Sequence, residues 1–146
     1  MSAGIDRRLT LASARVLSHE VYLSEILVVD DSKVMREMIA ACLRPDPAIA
    51  ITQAASGLEA IERLSLKVFD LLVLDLNMPD IGGLEVVEFV RSQDKLRTLP
   101  ILIVTTRGED TSRASVLAAG ASRYMTKPFA PATILAEVQG LLGGKS

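Results

Sequence analysis

Three runs of four large apolar residues constrain this chain most: Ile26-Leu27-Val28-Val29, Leu71-Leu72-Val73-Leu74 and Ile101-Leu102-Ile103-Val104. A strand with one wet face alternates apolar and polar side chains. An unbroken apolar run belongs to a strand covered on both faces, as in a parallel sheet flanked by helices. Two of the runs end in acids, the first in Asp30-Asp31 and the second in Asp75. A carboxylate at the mouth of a buried strand is expensive unless something neutralises it or its pKa moves. The fold class and the functional question therefore arise from the same residues.

Between the runs the period changes to that of a helix. Ser32 can cap a helix whose stripe is Val34, Met35, Met38, Ile39, Cys42 and Leu43, and Arg44-Pro45-Asp46-Pro47 stops it. Residues 49–54 alternate weakly, as an edge strand does. Ser56-Gly57 opens a helix expected to carry Leu58, Ile61 and Leu64 inward. Ile81-Gly82-Gly83 is a turn before a helix over 84–91, and a helix over 110–119 ends at Gly120. A last strand over 122–125 precedes a helix with Ile134, Leu135, Val138, Leu141 and Leu142 on one face. This is (βα)5, an α/β doubly wound parallel sheet with right-handed crossovers. Ligands of such sheets bind beyond the carboxyl ends of the strands.

A chain of 146 residues fits one domain, and its 49% hydrophobic and 23% charged content is that of a folded protein. The net charge of −2 without a basic run gives no nucleic-acid face, and the absence of Trp argues against base stacking. Cys42 is alone and sits in an apolar helical pattern, which reads as core packing; His19 has no partner motif. No apolar stretch approaches the ~18 residues of a membrane span. Arg7-Arg8 is not followed by an uninterrupted apolar segment, so the expected location is cytoplasmic. Residues 1–24 read as an N-terminal extension ahead of a domain over 25–144. It is a poorly ordered extension, an upstream mis-assigned start, or a short amphipathic helix (Leu9, Leu11, Ala12, Val16, Leu17) that docks on this domain or on a partner.

The strand ends then supply a consistent set of groups: carboxylates at Asp30, Asp31 and Asp75, a hydroxyl at Thr105 and an ammonium at Lys127. Clustered carboxylates need a hard cation or protons. Mg2+, or Mn2+ in its place, fits oxygen ligands, whereas zinc is disfavoured without thiols or histidines. One strand-tip carboxylate can act as a nucleophile toward phosphorus while the metal, Lys127 and Thr105 neutralise the phosphoryl oxygens. A cis Lys127-Pro128 bond would aim that lysine inward.

These residues resemble the response-regulator receiver domain of two-component signalling over about residues 25–143. The match lies in Asp30-Asp31, Asp75 with Met78-Pro79 and Gly82-Gly83, Thr105, Tyr124 and Lys127-Pro128-Phe129. The resemblance implies a flavodoxin-like sheet of order 2-1-3-4-5. It implies Asp75 as phosphoacceptor from a sensor histidine kinase or its phosphotransfer domain. It further implies Mg2+ on Asp31, Asp30, Asp75 and the backbone carbonyl of Asn77, with Lys127 and Thr105 on the phosphoryl group. Tyr124 would swing inward as Thr105 moves, altering the surface of the fourth helix, fifth strand and fifth helix that an output protein binds. Thr106 departs from the very small residue usual there; with Asn77 and Arg107 it is expected to tune loss of the phosphoryl group.

The patterns around Asp30 and Thr105 resemble chemotaxis-type receivers, with no output domain after Leu142, so a stand-alone signalling role is expected. The protein would catalyse only its own phosphorylation and dephosphorylation. A phosphorelay intermediate, or a receiver cut from a larger kinase or transcription regulator, is the alternative. A phosphatase using Asp75 is disfavoured, because Asn77 stands where such enzymes place a proton-donating acid.

Overall fold

The computed structural model describes residues 22–106 and 110–143. Five parallel strands alternate with five helices: β1 (Ser24–Val29), α1 (Lys33–Leu43), β2 (Ile49–Ala54), α2 (Gly57–Leu66), β3 (Leu71–Leu74), α3 (Gly83–Ser92), β4 (Ile101–Thr106), α4 (Asp110–Ala119), β5 (Arg123–Lys127) and α5 (Pro131–Gly143). A 3₁₀ turn, Asp94–Leu96, lies between α3 and β4. The strand order is β2-β1-β3-β4-β5, the expected doubly wound α/β arrangement.

Each apolar run is buried for the anticipated reason. Residues 26–29, 71–74 and 101–104 are at most 1% exposed. Their alternate side chains enter two cores. Leu27, Val29, Leu72, Leu74, Ile101 and Ile103 meet α2, α3 and α4 on one face. Ile26, Val28, Leu71, Val73, Leu102 and Val104 meet α1 and α5 on the other. Edge strand β2 is only half-buried until Ala54.

Several boundaries and faces differ from the pattern reading. β1 begins at Ser24, β4 runs through Thr105 and Thr106, and β5 is displaced toward Lys127. Ladder pairing carries these strands past their apolar stretch: Thr105 faces Thr126 and Thr106 faces Lys127. Val34 and Met38 of α1 and Leu58 of α2 are exposed rather than inward. The stripe read from sequence was too wide; α1 buries Ile39, Ala40, Cys42 and Leu43, and α2 buries Gly57, Ala60 and Leu64. Positions 34 and 38 lie about 100° around the helix from 35 and 39, outside the arc the sheet covers.

Local features fix the loops beyond the strand ends. Ser32 caps α1 by accepting from the Met35 N–H at 3.2 Å, and Ser56 caps α2 from the Glu59 N–H at 3.1 Å. At Gly83 a Cβ would lie 2.6 Å from the Asp75 carbonyl oxygen and 2.7 Å from the Leu76 Cα, so only glycine lets α3 start this close to β3.

Candidate functional site

The register sets the site. Val29 pairs with Leu74, so Asp30 and Asp75 leave adjacent strands side by side. Their backbones are held in the ladder, with Asp75 N–H donating to Val29 O at 3.0 Å and Asp30 N–H to Ala54 O at 3.2 Å. Asp30 and Asp75 are buried, whereas Asp31 is exposed at the rim. One carboxylate oxygen from each of the three lies within 4.8 Å of the others, a group able to hold a metal ion.

The two buried acids are satisfied unequally. Asp30 Oδ1 accepts from the Ser32 N–H at 2.9 Å and Asp30 Oδ2 from Lys127 Nζ at 2.7 Å. Lys127 is only 3.8 Å from Asp75 Oδ2, and the buried Asp75 Oδ1 accepts no hydrogen bond among the described residues. Burial pushes the Asp75 carboxyl above its ordinary pKa. The Thr105 hydroxyl and the Lys127 ammonium pull it partly back, while the Asp30 charge adds to the rise. Three carboxylates against one ammonium leave the pocket negative, and an all-oxygen donor set suits a hard divalent cation. The orphaned Asp75 oxygen fits that expectation.

The opposite wall comes from β4 and β5. Thr105 is 1% exposed. The Asn77 side-chain amide donates to both Thr105 Oγ1 and Thr106 Oγ1, each at 3.2 Å, clasping the loop after β3 to the end of β4. Lys127 ends β5 and is followed by a cis bond to Pro128, as expected.

Residues 26–139 match the response regulator receiver domain family. The chain belongs to that family. It is 35% identical over 120 residues to chemotaxis protein CheY1 of Helicobacter pylori, covering 82% of this chain and 97% of that protein. It is 36% identical over 120 residues to the CheY homolog of Campylobacter jejuni, covering 82% and 92%. Among solved structures, Vibrio cholerae CheY4 superposes with a TM-score of 0.76 at 34% identity, covering 82% of this chain and 98% of that one. The chain is thus a CheY-like receiver, and receivers of this kind act with histidine kinases and output proteins. Among the described residues no helix is long and apolar enough to cross a membrane.

Of the receiver residues anticipated from sequence, Asp30, Asp31, Asp75, Thr105, Lys127, Asn77 and Thr106 converge on one end of the sheet. Tyr124 lies deeper, opposite Ile103 in the β4–β5 register; its hydroxyl is buried without a hydrogen-bond partner among the described residues. The Arg113 guanidinium lies 5.5 Å from its ring centre. Arg107 falls outside the described residues. Sequence reasoning missed Arg36, which donates to the Asp30 carbonyl at 2.7 Å and to Gln53 Oε1 at 3.0 Å and so fixes the acidic turn. It also missed Asp80, which accepts from the Gly57 and Leu58 N–H groups at 3.2 and 3.0 Å and ties the loop after Asp75 to the start of α2. Those hydrogen bonds hold the Asp80 carboxyl below its ordinary pKa. An arginine one turn into α1 was a readable hint, whereas nothing near Asp80 in sequence points to a helix start 23 residues upstream.

Proposed function

We propose that this receiver takes a phosphoryl group onto Asp75 from a phosphohistidine of a sensor kinase or its phosphotransfer domain. Passing the signal on would then depend on phosphorylation-dependent binding of an output protein to the α4–β5–α5 surface, in a cytoplasmic, chemotaxis-type pathway. The observation that carries this reading is Asp75 itself, a buried carboxylate with one oxygen unclaimed beside a cation-competent cluster.

Asp31, Asp30, Asp75 and the Asn77 backbone carbonyl would hold Mg2+, or Mn2+. Bound there, the ion supplies positive charge to the pocket and to the phosphoryl oxygens. The Asp75 oxygen attacks phosphorus as the phosphorus–nitrogen bond breaks, and the imidazole nitrogen keeps the bonding pair. Lys127, 2.7 Å from Asp30 and 3.8 Å from Asp75, would exchange a carboxylate for a phosphoryl oxygen. Thr105 offers its hydroxyl to the same group, and its movement would leave room for Tyr124 to shift, a two-state element biased by local charge. Asn77, Thr106 and Arg107 would tune hydrolysis, and the protein would catalyse only its own phosphorylation and dephosphorylation.

Incubation with Mg2+ and acetyl phosphate, read by intact mass, tests the proposal. A single phosphoryl adduct absent from Asp75→Ala is the expected result. An unmodified parent protein overturns it.

A further inference from the structure

The pole of the sheet opposite Asp75 carries a groove that the phosphorylation chemistry does not use. Two adjoining hollows of about 210 and 460 Å³ lie between the C-terminal ends of α2 and α3 and share Leu64, Ser65, Lys95 and Leu96 in their walls. Phe69 and Leu99 line the smaller one and are nearly buried. On its rim Leu66 is 79% exposed and Val68 68% exposed. Single exposed apolar residues are ordinary, but two large ones flanking an apolar hollow form a patch that a cover would stabilise.

The chain enters the fold beside this groove. Tyr22 donates its hydroxyl to Asp70 Oδ1 at 3.1 Å, and the Glu25 N–H donates to Asp70 Oδ2 at 2.8 Å. Asp70 directly follows Phe69 in the groove wall, and Lys67 on the same wall pairs with Glu25 at 2.9 Å. The start of β1 is thus tied to the groove's own residues. Upstream of Tyr22 stand 21 residues containing Leu9, Leu11, Ala12, Val16 and Leu17, an apolar set the receiver chemistry has no use for. At up to roughly 3.3–3.6 Å per residue, the few residues between Leu17 and Tyr22 are ample to reach a groove whose wall residue Phe69 adjoins Asp70, the hydrogen-bond partner of Tyr22.

We infer that residues 1–21 dock in cis on the α2–α3 groove, covering Leu66 and Val68 with the apolar side chains around Leu11 and Val16. Groove and occupant meet because the segment is tethered at the groove's edge, where its effective concentration far exceeds that of a free partner. The contact lies at the pole away from Asp75, so it stands whether or not Asp75 is phosphorylated.

Amide NMR spectra of the full chain and of its L11D/V16D double variant test this, since both substitutions lie outside the receiver fold. Shift changes should appear at residues 64–69 and 93–99. Exchange of those amides should quicken by roughly tenfold, the factor corresponding to about 1.4 kcal/mol of lost burial. The reciprocal variant Leu66→Glu should shift resonances of residues 9–17. Changes confined to residues 1–21, or falling on another face, overturn the inference. Groove changes that vanish on dilution also overturn it, by placing the segment on a second copy.

Discussion

Desolvation dominates the environment of Asp75, and its sign has consequences at the residue scale. A carboxyl whose pKa is higher folded than unfolded holds more protons in the native state. Its stabilising contribution is present below the unfolded value and is lost as pH rises through the folded one. Metal-free protein at neutral pH is therefore strained at Asp75. Asp75→Asn should stabilise it by ~1–3 kcal/mol, the order of the cost of a buried group left unsatisfied. That gain should shrink as acid protonates the parent; urea melts in EDTA across the acidic range would show it, and a pH-independent difference would contradict the burial argument. Modification of Asp75 by acetyl phosphate should correspondingly fall away at a higher pH than for an ordinary carboxylate. Thr106 shares the Asn77 amide with Thr105. Thr106→Ala frees that amide and opens the rim, so the phosphoryl lifetime should shorten several-fold; a lifetime equal to the parent's would deny Thr106 any tuning role. The acids and Thr105 were legible from sequence because each follows an apolar run, and Lys127 because it stands just beyond the last expected strand and before Pro128. Arg36 and Asp80 were not, because what they do depends on partners far along the chain.

At the scale of elements, the strands were more legible than the helix faces. An apolar run has one physical reading when both sheet faces are covered, so 26–29, 71–74 and 101–104 were found intact. A helical stripe only bounds an arc, and Val34, Met38 and Leu58 fell outside the part the sheet covers. The end of α4 shows how an element is closed by a neighbour. Gly120 has φ of +122°, its N–H donates to Leu117 O, and Arg91 donates to its carbonyl through Nε at 3.0 Å and Nη2 at 2.8 Å. A Cβ there would also sit 2.8 Å from the Arg91 side chain. Gly120→Ala should thus cost ~1–2 kcal/mol in left-handed strain alone, visible as a lowered denaturation midpoint with an unchanged slope. An unaltered midpoint would mean that the helix end re-forms without its cap.

For the whole molecule, the acidic cluster couples ion binding to folding. The three carboxylates converge only when β1 and β3 are paired, so a cation that binds them favours the native state over the unfolded chain. Melting temperature should rise with Mg2+ concentration. At 100 times the dissociation constant the gain is about 2.7 kcal/mol, and it should be largely lost in Asp31→Asn. A melting temperature indifferent to Mg2+ in the parent would remove the cation from the site. The sheet that brings the carboxylates together sits between two apolar cores.

The ion pair between Asp30 and Lys127 joins residues 97 positions apart. Asp30 is made 97 residues before Lys127, so a growing chain has the acids well before it has the cation that balances them. Until β5 has been made and has joined β4, a phosphoryl group approaching Asp75 would meet negative charge without Lys127 to offset it. On the function proposed above, reactivity would thereby be withheld from a copy whose β5 has not yet joined β4.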